Sequence, residues 1–419
     1  MEPVITPRGS GYLVKWGNGV EAYVSRIREN PERLKCEVAI LLNSQPLTRS
    51  SPVLTSESGK DSLIRKLKRR RPDEDWGIDW EVTVEELSAL VVDAHRQGAS
   101  EIVLGVVPED DTLTWRVENV LPEGFPSLVY GDGGSGKSMF ATFLSVLIDQ
   151  GFLSTDLRLP VEPGKVLYLD WETDAEEIAK RARSIHRGLG LSTSSGIVYR
   201  RCSQPLLSEV DRIIDICSSR QINVLVCDSL GLATGGTLEE AESTLGFFQA
   251  IRHIGLTALV ISHTNKAGQS FGSVYANNSS RMTWEAKGTR NPAGGIDLAM
   301  FHRKANNVPL QLPMGWHISF DAEAGVTFAR RDVFETDSAG DLSVADLVYQ
   351  VVRREGPVDK DVLLERVAAY KSVTVDKLRP AINVALSRHK AAGKLVVDDT
   401  EIKLPAKDGP ISEEGTWEL

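Results

Sequence analysis

An apolar run, Ser127-Leu128-Val129-Tyr130, leads directly into the eight residues GDGGSGKS at positions 131–138, and a helical pattern follows over 138–148. The spacing G-x-x-x-x-G-K-S, set between a buried strand and a helix, constrains this chain more than any other feature. Glycine opens backbone conformations closed to other residues and lets successive N–H groups converge on one anion. The following helix turns its partly positive end toward the same place. Gly131, Asp132, Gly133, Gly134, Ser135, Gly136, Lys137, Ser138 and Met139 are therefore the candidate cradle for the phosphates of ATP. Lys137 supplies a point charge for the outer phosphates, and the Ser138 hydroxyl is a candidate Mg²⁺ ligand. A plain glycine-rich corner needs neither the lysine nor the serine.

Phosphate loops serve many chemistries, so the later strands have to decide. Between residues 123 and about 331, short apolar runs (SLVY, VLYLDW, NVLVCDS, ALVISH) alternate with helical stretches. That pattern predicts an α/β fold, a RecA-like mostly parallel sheet with flanking helices. Ligands of such sheets gather beyond the C-terminal strand ends. Glu172, after VLYLDW, is the candidate to polarise the water that attacks the γ-phosphate, with Asp170 as runner-up. The plainer reading of Glu172 is an acid capping the next helix, a task open equally to Thr173 and Asp174. Asp228 closes NVLVCD and is the candidate Mg²⁺ ligand through water. His263 closes LTALVISH and is the candidate sensor of the γ-phosphate.

At 419 residues the chain exceeds one ordinary core. Residues 1–115 read as an α+β domain, with strand-like stretches at 11–14, 21–24 and 34–42 before a helix at 83–96. Residues 116–334 hold the ATPase domain, and 335–419 a linker followed by three helical stretches and two short strands. That last order predicts a winged-helix-like domain; a three-helix interaction or oligomerisation module fits it equally well. No run approaches the ~18 apolar residues of a membrane span, and no signal peptide is legible at the start. With four scattered cysteines and no CxxC pair, a reducing cytoplasm is expected and a structural zinc is not.

A net charge of −10 argues against coating nucleic acid by bulk charge, so any DNA contact has to come from local patches. The densest patch is Arg65, Lys66, Lys68, Arg69, Arg70 and Arg71, of which Arg69, Arg70 and Arg71 are the candidate DNA contacts. Lys266 is another, in a stretch at 264–280 rich in Gly, Ser and Asn. As a solvated face, none of these needs a function.

The succession GDGGSGKS, VLYLDWE, VLVCDSLGLATGG, VISHTNK, FGSVYANNSSRMTWEAK and HRKANN resembles the RecA-like core, and more narrowly the RepA-type replicative helicases of plasmids and phages. It covers the middle half of the chain. The resemblance implies a homo-oligomeric, usually hexameric ring, with ATP between neighbours and single-stranded DNA in a central channel faced by residues 231–237 and 264–280. It also implies that Arg281 is the finger entering the neighbour's site, with Lys304 as second candidate. Where relatives place an arginine two residues after that lysine, this chain has Asn306. The implied function is a DNA-dependent ATPase motor, a helicase or translocase acting in replication of a plasmid, phage or mobile element. An ATP-controlled DNA-binding assembly (loader, partition factor or recombination mediator) and a protein-binding ATP switch remain compatible with the same residues.

Overall fold

Alternation of apolar and polar residues builds the N-terminal part of the chain. In the computed structural model, which describes residues 3–8, 11–30, 33–70, 77–98, 113–191, 195–236, 241–264, 274–291, 294–306, 308–398 and 401–405, five strands pair in sequential order. They are β1 (Val4–Arg8), β2 (Gly11–Lys15), β3 (Val20–Asn30), β4 (Arg33–Leu42) and β5 (Gln45–Ser50). Every second residue of β4 from Leu34 to Leu42 is buried, which gives the antiparallel sheet one apolar face. Helices α1 (Glu57–Arg70) and α2 (Trp80–Gln97) cover it, Leu63, Leu67, Val84 and Leu87 meeting Val24, Val38 and Ile40. The other face carries Tyr23, Ala39 and Arg49 in one cross-strand row.

The central domain opens with the short pair β6 (Trp115–Val117) and β7 (Leu121–Pro122). Alternating elements follow: β8 (Pro126–Gly131), α3 (Lys137–Gln150), β9 (Val166–Asp170), α4 (Ala175–Gly188), β10 (Val198–Arg201), α5 (Leu206–Arg220) and β11 (Val224–Asp228). Next come α6 (Leu230–Ala233), α7 (Ala241–Ile254), β12 (Thr257–His263), α8 (Val274–Ser279), β13 (Met282–Arg290), β14 (Ile296–Ala305), β15 (Met314–Asp321) and β16 (Gly325–Arg331). Among the described residues strands β8 to β16 form one nine-stranded sheet, ordered β10-β9-β11-β12-β8-β13-β14-β15-β16.

The sheet is parallel from β10 to β13 and antiparallel from β13 to β16. Strands β9 and β11 are buried along their whole length because helices cover both faces. On one side Phe140 and Leu144 of α3 and Ile185 of α4 pack with Tyr168 and Val226; on the other, Val210 of α5 and Phe247 and Phe248 of α7 pack with Leu167 and Cys227. The α/β class, with a large mostly parallel sheet flanked by helices and a β-rich N-terminal region, is what the sequence led one to expect. The antiparallel extension is an addition. Its Phe328 stacks on Phe143 of α3 at 3.9 Å between ring centroids, and Trp316 contacts both Phe140 and Phe143, so it braces the helix that follows the phosphate loop.

Residues 335–341 are not an extended linker. Two 3₁₀ turns, Val333–Glu335 and Asp337–Asp341, bury Ser338 and Ala339, and Arg354 bonds Asp332 and Glu335 at 2.9 Å each. Beyond them lie α9 (Val344–Glu355), β17 (Val358–Asp359), α10 (Lys360–Lys371), α11 (Val375–Ala391), β18 (Val396–Asp398) and β19 (Glu401–Lys403). The strands pair in the order β17-β19-β18. Helices and hairpin follow the winged-helix order; the two-residue β17 is too short to read from sequence. Leu347, Leu364, Ile382 and Ile402 share one core with Phe301 of β14, which joins this part to the central sheet. No described helix is long and apolar enough to cross a membrane.

Candidate functional site

Four adjacent parallel strands, β9, β11, β12 and β8, end on one edge of the sheet, and each delivers polar groups there. After β8, the backbone of Gly136 takes φ 92° as the N-cap of α3, a conformation that side-chain-bearing residues rarely adopt. No side chain caps this helix, so its leading N–H groups remain available to an anion. The space around Gly133 and Gly134 is open within 4 Å of a built Cβ. Lys137 is only 4% exposed. Its ammonium donates to the carbonyls of Gly131 (2.8 Å) and Asp132 (2.7 Å) and to the Ser135 hydroxyl (3.3 Å). Burial lowers its pKa to about 8, against the pull of Asp228, Asp132 and Glu172. Thr264, beyond β12, donates its hydroxyl to Asp132 and its N–H to the Gly131 carbonyl (3.2 Å), tying the loop to the neighbouring strand. The Met139 side chain packs on the main core, which leaves its backbone for any phosphate.

The carboxylates divide their work. Strand β9 ends at Asp170, and Glu172 sits in the turn beyond it. Asp170 accepts from the N–H groups of Glu172 (2.8 Å) and Thr173 (3.0 Å) through Oδ1, and from the hydroxyls of Thr173 (2.6 Å) and Tyr199 (3.0 Å) through Oδ2. Both oxygens are spent on shaping the turn, so Asp170 is not a free base. Asp174 caps α4 by accepting from the Glu177 N–H at 2.9 Å. Helix capping therefore leaves Glu172 unclaimed. Its Oε1 meets His263 Nε2 at 3.3 Å and accepts from the Ser229 hydroxyl. The His263 bond, seconded by Ser229, holds its pKa below the ordinary glutamate range although burial opposes this.

Asp228 is buried at the end of β11, and Tyr168 donates its hydroxyl to Oδ2 at 2.8 Å. The other oxygen, Oδ1, has no hydrogen-bond partner among the described residues. Burial raises the Asp228 pKa, offset by the hydroxyls of Tyr168 and Ser138. A buried carboxylate with one orphaned oxygen, beside a serine hydroxyl, is costly until a cation joins it. These residues fit Mg²⁺.

Other expected residues lie elsewhere. Strand β13 begins with Met282 in register with Ser127, near the start of β8. Arg281 thus stands at the edge of the sheet opposite the chain's own phosphate loop, its guanidinium 4.3 Å from the Phe125 ring centroid. Lys304 donates to the carbonyls of Asn277 (2.7 Å), Asn278 (3.2 Å) and Ser280 (2.7 Å) and closes the end of α8. Arg69 and Arg70 are exposed at the end of α1. Arg71 and Lys266 lie outside the described residues. The sequence reading missed Ser229, Tyr168, Thr264 and Gly288. Ser229 was findable as the hydroxyl next to the strand-end Asp228. Gly288 was not: a Cβ there would fall 2.3 Å from the Ser135 carbonyl oxygen, a contact between β13 and the phosphate loop, which are far apart in sequence.

Residues 99–269 match a family described as an AAA domain. No curated protein matches the chain. Among solved structures, a KaiC-like protein of the hyperthermophilic archaeon Pyrococcus horikoshii is 14% identical at a TM-score of 0.37, covering 55% of this chain and 99% of its own. The flagellar accessory protein FlaH of Methanocaldococcus jannaschii is likewise 14% identical, at a TM-score of 0.35, covering 50% of this chain and 90% of its own. The family match spans the phosphate loop, Glu172, Asp228 and His263, and the central domain is a P-loop ATPase core.

Proposed function

We propose that the chain is a DNA-dependent ATPase motor, a RepA-like helicase or translocase that hydrolyses ATP between identical subunits while moving along single-stranded DNA. The setting would be replication of a plasmid, phage or mobile element. One observation carries the hydrolytic part of the reading: Glu172, its pKa lowered by His263 and Ser229, sits on the strand edge that also presents Lys137 and the orphaned oxygen of Asp228. In this reading Glu172 accepts a proton from the water attacking the γ-phosphate. Lys137 and the loop N–H groups hold the phosphates, and Ser138 and Asp228 hold Mg²⁺, which when bound neutralises charge on the β and γ oxygens. His263 touches Glu172 and precedes the loop at 264–280, so it is placed to relay the state of the γ-phosphate.

A hexameric ring would bring Arg281 of one subunit to the next subunit's ATP, a role that its position away from its own phosphate loop leaves open to it. The winged-helix-like part, with exposed Arg379 and Arg388 on α11, and the basic end of α1 with Arg69 and Arg70 support a nucleic-acid partner; Lys266 and Arg71 would add to it. A second reading, an ATP-controlled DNA-binding assembly without unwinding, draws on the loop after β11, where residues 231–236 carry no cation. Strand displacement on a forked substrate separates the two: the motor reading requires ATP-dependent release of the displaced strand, and DNA-stimulated hydrolysis without release would favour the assembly.

A further inference from the structure

A groove of about 1760 Å³ runs between the outer face of the N-terminal sheet and the flank of the central domain made by β10 and α5. Among the described residues seven arginines and three carboxylates line it, on a chain whose net charge is −10. Two of those arginines are neutralised, Arg26 by Glu37 at 3.0 Å and Arg200 by Glu209. Arg49 and Arg70 from the N-terminal domain, and Arg212 and Arg220 from α5, are exposed and have no ion-pair partner among the described residues. Three tyrosines stand among them. Tyr23 lies in the same cross-strand row as Arg49 and already carries the Arg8 guanidinium 4.5 Å from its ring centroid. Tyr12 is half-buried at the rim, and Tyr199 belongs to β10.

Unpaired arginines facing each other across an open trough, with aromatic rings between them, suit a flexible polyanion whose bases stack. We propose that this groove binds single-stranded DNA. The proposal rests on the DNA-dependent reading above and gives the N-terminal domain a task in it. Arg70 belongs to the basic run at the end of α1; its neighbours Lys66 and Lys68 are engaged with Ser50 and Glu81 at 2.8 Å each, which leaves the groove side to the arginine.

The groove also touches the hydrolytic edge. Tyr199 donates its hydroxyl to Asp170 Oδ2 at 3.0 Å, and Asp170 Oδ1 holds the Glu172 N–H at 2.8 Å. A strand pressing on β10 therefore acts two hydrogen bonds away from the backbone of Glu172. Tyr199 is a positioning residue that links DNA in the groove to ATP turnover.

The test uses the full chain and the anisotropy of a labelled oligo-dT across a salt series, with ATP binding measured in parallel. Wild type should bind. The triple variant Arg49→Ala, Arg212→Ala, Arg220→Ala, all exposed positions, should keep ATP binding and lose about tenfold or more in oligo-dT affinity. Its log–log salt slope should be shallower by about 2, since each phosphate contact on a single strand contributes ~0.7. Tyr199→Phe keeps the ring and should retain oligo-dT binding, while the ratio of DNA-stimulated to basal hydrolysis falls toward one.

Wild-type binding that the triple variant matches would overturn the groove and leave the DNA-dependent reading standing. Wild type that binds ATP but not oligo-dT would sink both. Displacement of oligo-dT by polyglutamate at equal charge concentration would show a site for acidic polypeptide and overturn the proposal. Undiminished stimulation in Tyr199→Phe would remove the link to Glu172.

Discussion

His263 Nε2 lies 3.3 Å from Glu172 Oε1, although His263 ends β12 and Glu172 follows β9, two strands that β11 separates. The bridging position is filled by Ser229, the residue after β11, whose hydroxyl donates to the same oxygen. Three strand ends thus converge on one carboxylate, and the neighbouring turn acids, Asp170 and Asp174, are occupied with backbone N–H groups. A glutamate held this way keeps its second oxygen for another partner.

Glu172→Gln removes the proton acceptor without changing the shape of the turn. Hydrolysis should fall by roughly 10²- to 10⁴-fold, the usual contribution of a general base. Binding of a fluorescent ATP analogue should stay within about threefold of wild type, because Glu172 is not part of the phosphate cradle. Phosphate release and analogue titration, done on one preparation, check both.

His263→Ala takes away the largest influence lowering the Glu172 pKa. The folded-state pKa then rises toward the ordinary glutamate value. The acid limb of the pH–rate profile should therefore shift to higher pH, so activity is lost sooner as pH falls. Ser229→Ala should move it the same way by less. A profile unchanged in both variants would mean that these contacts do not tune Glu172.

Lys137 gives the opposite limb. In the free chain its pKa is lowered to about 8 by burial, whereas bound phosphate favours the ammonium and pulls the value back up. Binding must then take up a proton above pH 8, and apparent ATP affinity should fall as pH rises through that point. Isothermal calorimetry in two buffers of different ionisation heat, at pH 7 and pH 9, reads the proton directly. Lys137→Ala should lose most of the affinity at both values.

Gly288→Ala tests the support behind the phosphate loop. The added methyl meets Ser135 backbone atoms at 2.3, 2.6 and 2.7 Å, so the loop or β13 must shift. Overpacking of this kind costs roughly 1–3 kcal/mol. Because the displaced atoms belong to the cradle, ATP affinity should drop as well as Tm. A full loss of Tm with intact affinity would place the strain elsewhere.

The phosphate loop was legible because its chemistry is local: glycines, a lysine and a serine within eight positions, between a strand and a helix. Glu172, Asp228 and His263 were legible as polar groups after apolar runs, since such runs in a parallel sheet end on one edge. What escaped depends on register between distant segments. Nothing near Gly288 announces that Ser135 will press on it, and nothing in VLYLD marks Tyr168 as the donor to Asp228. Strand β14, IDLAMFHRKA, is buried along most of its length, so it reads like one more parallel run; only its pairing with β13 and β15 makes it antiparallel. Residues 335–341 read as a linker because they are polar, yet capping by Asp332 and Thr336 folds them into turns. A role for Arg281 at another subunit's ATP cannot be spelled within one chain.

The most direct measurement is steady-state ATP hydrolysis by the full chain with Mg²⁺, with and without single-stranded DNA, for wild type and Glu172→Gln side by side. The expected result is wild-type turnover that DNA stimulates, near-complete loss of turnover in the variant, and retained ATP binding in both. Hydrolysis by Glu172→Gln at the wild-type rate, or wild type that turns over ATP with no response to DNA, would contradict the account.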